Sequence, residues 1–296
     1  MQELLYNLLF LSGQHLSFQG CARFGRAIGR LLWLMLPGRK DYAVQTIAER
    51  LDLDRLQAKK LALSSFEQTG QSFLEIFLTR KVDFRFWQEN LIIHDQESLS
   101  LIRNTKRPVV AVSAHLGAWE LMAGLMKLFM HPRPSQIVVR LPKDRALGNL
   151  IKHQRSQSGV EIIEHRRAAP RVLRCLKRGG ASAFLVDHNC LQNEAIFIPF
   201  LNKKAAVNMG PALLALRGKA LVWPAFLVRL PGHKYKFYSF SPLDTRELEG
   251  SRQEQIAQIA RFYTQKVEQM VKKYPEQWFW MHKRWKTRPK PLDITD

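Results

Sequence analysis

A chain of 296 residues, 46% of them hydrophobic and 24% charged, is too apolar to be disordered and long enough to bury a sizeable core. Lys and Arg number 46 against 25 Asp and Glu, and the resulting formal charge of +21 calls for a polyanionic partner: nucleic acid, an anionic membrane surface, or an acidic protein or lipid. Cys21, Cys175 and Cys190 form no CxxC pair, which disfavours both a disulfide scaffold and a cysteine zinc site.

Residues 4–12 (LLYNLLFLS) and 31–36 (LLWLML) are apolar, with Arg23, Arg26 and Arg30 between them. Neither run reaches the roughly 18 to 20 apolar residues of a spanning helix. The opening MQELL has no basic n-region of a signal peptide. The pattern suits helices lying in a bilayer interface, and the competing reading packs the same residues on the protein's own core. Pro37 and Gly38 then break the pattern, so residues 1–36 are expected as a membrane-associating layer and residues 37–296 as one α/β domain. Residues 41–80 read as helical, with Val44, Ile47, Ala48 and Leu51 on one face and Asp54 as a cap.

The chemistry is expected in VVAVSAHLGAWELM, residues 109–122. Four short, mostly β-branched residues suit a buried parallel strand, a turn through His115 and Gly117 follows, and the next residues favour a helix. A polar residue at the carboxyl end of such a strand sits where open α/β sheets bind ligands. If Glu120 folds back to one imidazole nitrogen of His115, the pair makes a general base that needs no nucleophilic side chain. The alternative leaves His115 capping the strand and Glu120 favoured by the helix dipole.

Strands are expected at 136–141, 160–164, 183–187, 220–230 and 235–240, with the apolar IFIPF element at 196–200 between them and helices at 144–157, 170–177, 211–217 and 252–273. This alternation predicts an α/β fold with a mostly parallel central sheet flanked by helices, behind an amino-terminal helical layer that contacts the membrane. There is no GxSxG, Walker loop, GxGxxG or HExxH, and His153 and His165 have no metal-ligand spacing. No metal or resident cofactor is expected.

HLGAWE at 115–120, RSQSG at 155–159, LKRGGASAFLVDHN at 176–189 and YPEQWFWMHKRWKTRP at 274–289 together resemble the bacterial lipid A late acyltransferases. The likeness runs from about Arg30 to Pro289, and the closing segment is its most specific part. The resemblance implies transfer of a fatty acyl group from acyl carrier protein, or from coenzyme A, to a hydroxyl of a lipid A precursor at the cytoplasmic face of the inner membrane. It maps His115 as base and Glu120 as its orienting partner. It also gives Arg155 as a phosphate or thioester-side contact, Asp187 as a site-lining acid, and Arg140 as a further substrate contact. Arg155 solvating a helix face and Asp187 capping its strand are the plain alternatives. The chain departs from the family's usual Asp-Gln-Asp at Asp187, His188 and Asn189.

A thioester is already activated, so one base and one oxyanion donor suffice, and backbone amides following Gly117 are candidates for the donor. An acidic carrier protein could dock on Arg166, Arg167, Arg171, Arg174, Lys177 and Arg178, or on Lys283, Arg284, Lys286 and Arg288. The Trp278, Trp280 and Trp285 cluster among these cations also fits a membrane interface or a single-strand nucleic-acid groove. A nucleic-acid partner is not expected, because it leaves His115 and Glu120 unexplained. Another lipid acceptor, a lysophospholipid or an aminolipid, is the nearer alternative.

Overall fold

The computed structural model describes residue 13 and residues 15–142, 144–166 and 168–289; the expected apolar run at 4–12 and Arg167 lie outside the described residues. Helices α1 (Phe18–Met35), α2 (Pro37–Leu51) and α3 (Arg55–Glu75) come first. Pro37 does not merely end α1: it occupies the first turn of α2, where its fixed φ fits and its missing N–H costs nothing, so α2 starts four residues earlier than the periodicity suggests. Asp54 caps α3 as expected, and Gln57 completes a capping box by reaching back to the Asp54 amide.

Helix α1 crosses α3 on glycine. A side chain at Gly29 would meet the Phe66 carbonyl at 2.2 Å, and one at Gly70 would meet the Gly25 carbonyl at 2.1 Å, so the two backbones touch. One face of α1 is therefore committed to the protein. The opposite face leaves Phe24 and Leu34 62% and 75% exposed, beside exposed Arg23, Arg26 and Leu31. No helix among the described residues is long and apolar enough to cross a membrane.

After α4 (Phe84–Asn90) the chain alternates: β1 (Leu91–Ile93), α5 (Gln96–Asn104), β2 (Val109–Ser113), α6 (Met122–Met130), β3 (Ser135–Val139), α7 (Arg145–Ser156), β4 (Glu161–Glu164), α8 (Ala168–Lys177) and β5 (Ala181–Leu185). A hairpin follows, β6 (Ala195–Phe200) and β7 (Lys203–Asn208), then α9 (Gly210–Arg217), β8 (Leu221–Arg229), β9 (Tyr235–Ser239), β10 (Leu243–Asp244) and α10 (Arg252–Lys273). The main sheet runs β1-β9-β8-β2-β5-β3-β4, with β10 antiparallel to β8. Strands β8, β2, β5, β3 and β4 are mutually parallel; β9 returns antiparallel to β8 across the Pro231–Gly232 turn.

Strand β2 is central and buried throughout, and its alternation divides the core. Val110 and Val112 join Phe226, Tyr263 and Met270 on one side, while Val109 and Ala111 join Phe129, Trp223 and Phe237 on the other. The apolar run read at 196–200 forms β6, but its partner β7 and the hairpin that joins them were not legible in the sequence. The two-residue turn puts Leu201 at φ 47° and Asn202 at φ 61°, and a Leu in the left-handed region gives no turn signal. Strand β5 also starts and ends two residues before the expected strand, which moves Asp187 off the sheet.

Candidate active site

Strands β2 and β5 are parallel neighbours with Ser113 opposite Leu185, so both chains leave the sheet at the same height. Two residues further along each lie His115 and Asp187. The His115 amide donates to Asp187 Oδ2 at 2.9 Å, and its Nδ1 stands 2.8 Å from Oδ1. The indole Nε1–H of Trp278 donates to Oδ2 at 2.9 Å. An ionised carboxylate only accepts, so this network assigns the proton to His115 Nδ1 and leaves Nε2 as the basic nitrogen. Burial alone would raise the Asp187 carboxyl, but the His115 charge and hydrogen bond, His188 and the Trp278 indole together hold it well below the usual carboxylate range.

Glu120 does not take the place expected for it. It lies in a single 3₁₀ turn, Trp119–Leu121, that aims its carboxylate at α7, where Arg155 Nε and Nη2 donate to its two oxygens at 2.9 and 2.6 Å. Trp119 Nε1 adds a third donor at 3.1 Å. Burial opposes ionisation of Glu120, and the Arg155 charge and hydrogen bonds outweigh it, so its pKa is lowered. The carboxylate that holds the imidazole is thus Asp187, because the Nδ1 side of the ring faces β5 and the 3₁₀ turn points Glu120 elsewhere.

Gly117 has φ +64°, and a side chain there would meet the Leu227 carbonyl at 2.1 Å, so the turn needs a glycine. Its amide donates to the Gln277 carbonyl at 3.0 Å, and the Ala118 amide to Leu227 at 2.8 Å. Both amides are already spent. Arg140 sits one residue past β3 with its side chain exposed, apart from the hydrogen-bonded group formed by His115, Asp187, Glu120 and Arg155.

The closing segment reaches this site from the far end of the sequence. The Phe279 amide donates to the His115 carbonyl at 3.0 Å, and Ser65 Oγ donates to the Trp278 carbonyl at 2.5 Å. Trp278, Trp280 and Trp285 are 2%, 1% and 8% exposed, so neither a membrane interface nor a nucleic-acid groove accounts for them. Arg284 is also buried and donates to the carbonyls of His188 and Ala206, which removes it from any docking surface. Sequence reading missed Trp278, Gln277 and Ser65 as parts of the site. The available signal was the closing segment's specific likeness to the lipid A acyltransferases.

His282 Nε2 accepts the Asn189 amide at 2.8 Å, tying the same segment to the loop that carries Asp187. Burial, opposed by Asp187 and aided by Arg284, pushes the His282 pKa from 6.5 down to about 4. A base depressed in the folded state contributes stability above its unfolded value near 6.5 and loses it as pH falls toward about 4. The melting temperature should therefore drop across that window. His282→Gln, which can accept the same bond without titrating, should show a shallower drop, and a curve parallel to wild type would clear His282 of the effect.

His115, Asp187 and His188 present potential ligand atoms within 4.8 Å of one another, so a cation would find three donors here. Both Asp187 oxygens already accept N–H groups, an arrangement better suited to a hydrogen-bonded acid–base pair.

A histidine oriented by a buried carboxylate at the carboxyl end of a parallel sheet defines an α/β enzyme equipped to remove a proton from a substrate. The chain belongs to the bacterial lipid A biosynthesis acyltransferase family, whose pattern matches residues 9–287, and it is an acyltransferase. It is 24% identical over 246 residues to the lipid A biosynthesis lauroyltransferase of Escherichia coli (strain K12), covering 80% of this chain and 76% of that protein. It is 22% identical over 240 residues to the palmitoleoyltransferase of the same strain, covering 79% and 74%. The same identity and coverage relate it to a lipid A biosynthesis acyltransferase of Shigella flexneri.

Proposed function

We propose that this enzyme moves a fatty acyl group from an acyl carrier protein thioester to a hydroxyl of a lipid A precursor, with His115 as general base. The observation that carries the reading is the 2.8 Å contact between His115 Nδ1 and Asp187, which leaves Nε2 to take the hydroxyl proton. The alkoxide oxygen attacks the thioester carbonyl, the tetrahedral intermediate collapses with loss of the C–S bond, and the departing thiolate recovers the proton from His115. Since the Gly117 and Ala118 amides are occupied, the oxyanion falls to the next two amides, Trp119 and Glu120. Glu120 fixes Arg155 by its Nε and Nη2, leaving Nη1 for a phosphate or the thioester carbonyl.

The exposed face of α1, with Phe24, Leu31 and Leu34 beside Arg23 and Arg26, supports attachment at the cytoplasmic surface of the inner membrane. The direct test offers a panel of acyl carrier protein thioesters, and acyl coenzyme A, to a membrane lipid extract, with His115→Ala as control. A new acylated lipid formed only by wild type, of a mass that identifies donor chain and acceptor, is the expected result. Equal product from the His115→Ala protein would remove His115 as the base.

A further inference from the structure

A cleft of about 420 Å³ opens between α2 and the closing segment, away from His115. Arg50, Lys203, Lys283, Lys286 and Arg288 line it, and Glu49 is its single acid among the described residues. Glu49 is already engaged: Arg50 donates to it at 3.0 Å and Gln45 at 2.8 Å. The Arg50 and Gln45 hydrogen bonds, with Lys203 adding its charge, hold the Glu49 carboxyl below its ordinary value. The remaining cations have no carboxylate partner among the ion pairs of the described residues.

Unpaired cations on a convex face are normally just solvated. Here they converge on a concavity walled by aromatic rings, with Arg50 over Trp285 at 5.9 Å and Lys283 over Tyr42 at 6.0 Å. Low-dielectric walls focus such a field, and the volume falls in the range of small-ligand sites. The two rings are covered by these cations, and Trp285 also stacks on Phe200, so they hold the cations in place rather than offering a bare face. Fixed cations for a phosphate, with Gln45 Oε1 and the Thr46 hydroxyl for sugar hydroxyls, make a set that suits a phosphorylated saccharide. A folded acidic protein would instead need a broad patch of roughly 800 Å². The cleft is also rigidly joined to the catalytic loop: Thr287 and Asn189 exchange hydrogen bonds at 2.9 and 3.0 Å, two residues from Asp187.

We propose that this cleft binds a phosphate-bearing sugar of the lipid acceptor's headgroup, a role that rests on the acyl-transfer reading above. The double variant Lys203→Glu/Lys286→Glu alters two exposed side chains and should raise KM for the phosphorylated acceptor about tenfold or more, with a much smaller change in kcat. KM for the carrier-protein thioester should stay unchanged, and an acceptor stripped of its phosphates should be used equally poorly by both proteins. An unchanged acceptor KM, or a rise confined to the carrier protein, overturns the assignment. Calorimetric titration of inorganic pyrophosphate into the full-length protein separates the two readings. Salt-sensitive binding that the double variant loses keeps the cleft even if no acyl transfer is found, and no binding to wild type removes the cleft even if transfer is robust.

Discussion

Asp187→Asn is expected to lower kcat by about 10³ to 10⁴ while leaving the fold intact, the scale seen when a histidine base loses its orienting carboxylate. The reason lies in the donor count around this side chain. Oδ2 accepts both the His115 amide and the Trp278 indole, so the oxygen of an Asn would be held on that side. Its amide nitrogen would then face His115 Nδ1 and donate to it, forcing the proton onto Nε2, the atom that must be bare to accept one. Glu120→Gln is the matched control. It weakens the paired hydrogen bonds to Arg155 and should cost stability and acceptor binding, with a smaller loss in kcat. Steady-state kinetics on the two variants decide which carboxylate serves the imidazole: near-normal turnover by Asp187→Asn alongside a thousandfold loss in Glu120→Gln would return that role to Glu120.

The second large effect concerns stability. Arg229 and Glu75 form a buried ion pair, with side chains 7% and 0% exposed and hydrogen bonds of 2.6 and 2.7 Å. Arg229 also donates to the Gly117 carbonyl at 3.0 Å, to Gln68 and to Ser72, so one guanidinium joins β8, α3 and the turn beside His115. Removing either partner strands the other in a dry interior. Glu75→Met or Arg229→Met alone should cost about 3 to 5 kcal/mol in urea unfolding, whereas the double variant should cost far less than the sum. Additive losses would mean that the two charges are not coupled as the geometry indicates.

Much of the architecture was legible because it is written in local patterns. The β-branched run at 109–113, the Asp54 cap and the apolar face of α10 each depend on residues a few positions apart. The active-site partner was not legible for the opposite reason. His115 and Asp187 are 72 positions apart and meet only because β2 and β5 pair in one register, while Glu120, five positions away, looked like the natural neighbour. Spacing alone cannot reveal that a 3₁₀ turn, not an α-helical one, follows Gly117 and swings Glu120 toward Arg155. The tryptophans misled similarly: interleaved aromatics and cations suggest a surface, yet Trp278, Trp280 and Trp285 pack with Phe200 into the core.

Residues 277–279 clasp the His115 turn at three points: the Gln277 carbonyl takes the Gly117 amide, the Phe279 amide meets the His115 carbonyl, and the Trp278 indole steadies Asp187. Every one of these bonds joins groups more than 90 positions apart in the sequence. Such long-range closures carry a loop-entropy cost that a local helix does not, and the sheet's own pairings, such as Leu91 with Tyr235, carry it as well. A molecule that has formed most of its helices can still lack a working base. Regain of activity after denaturation should then lag behind regain of helical signal, and turnover reports the last stage of folding rather than its bulk.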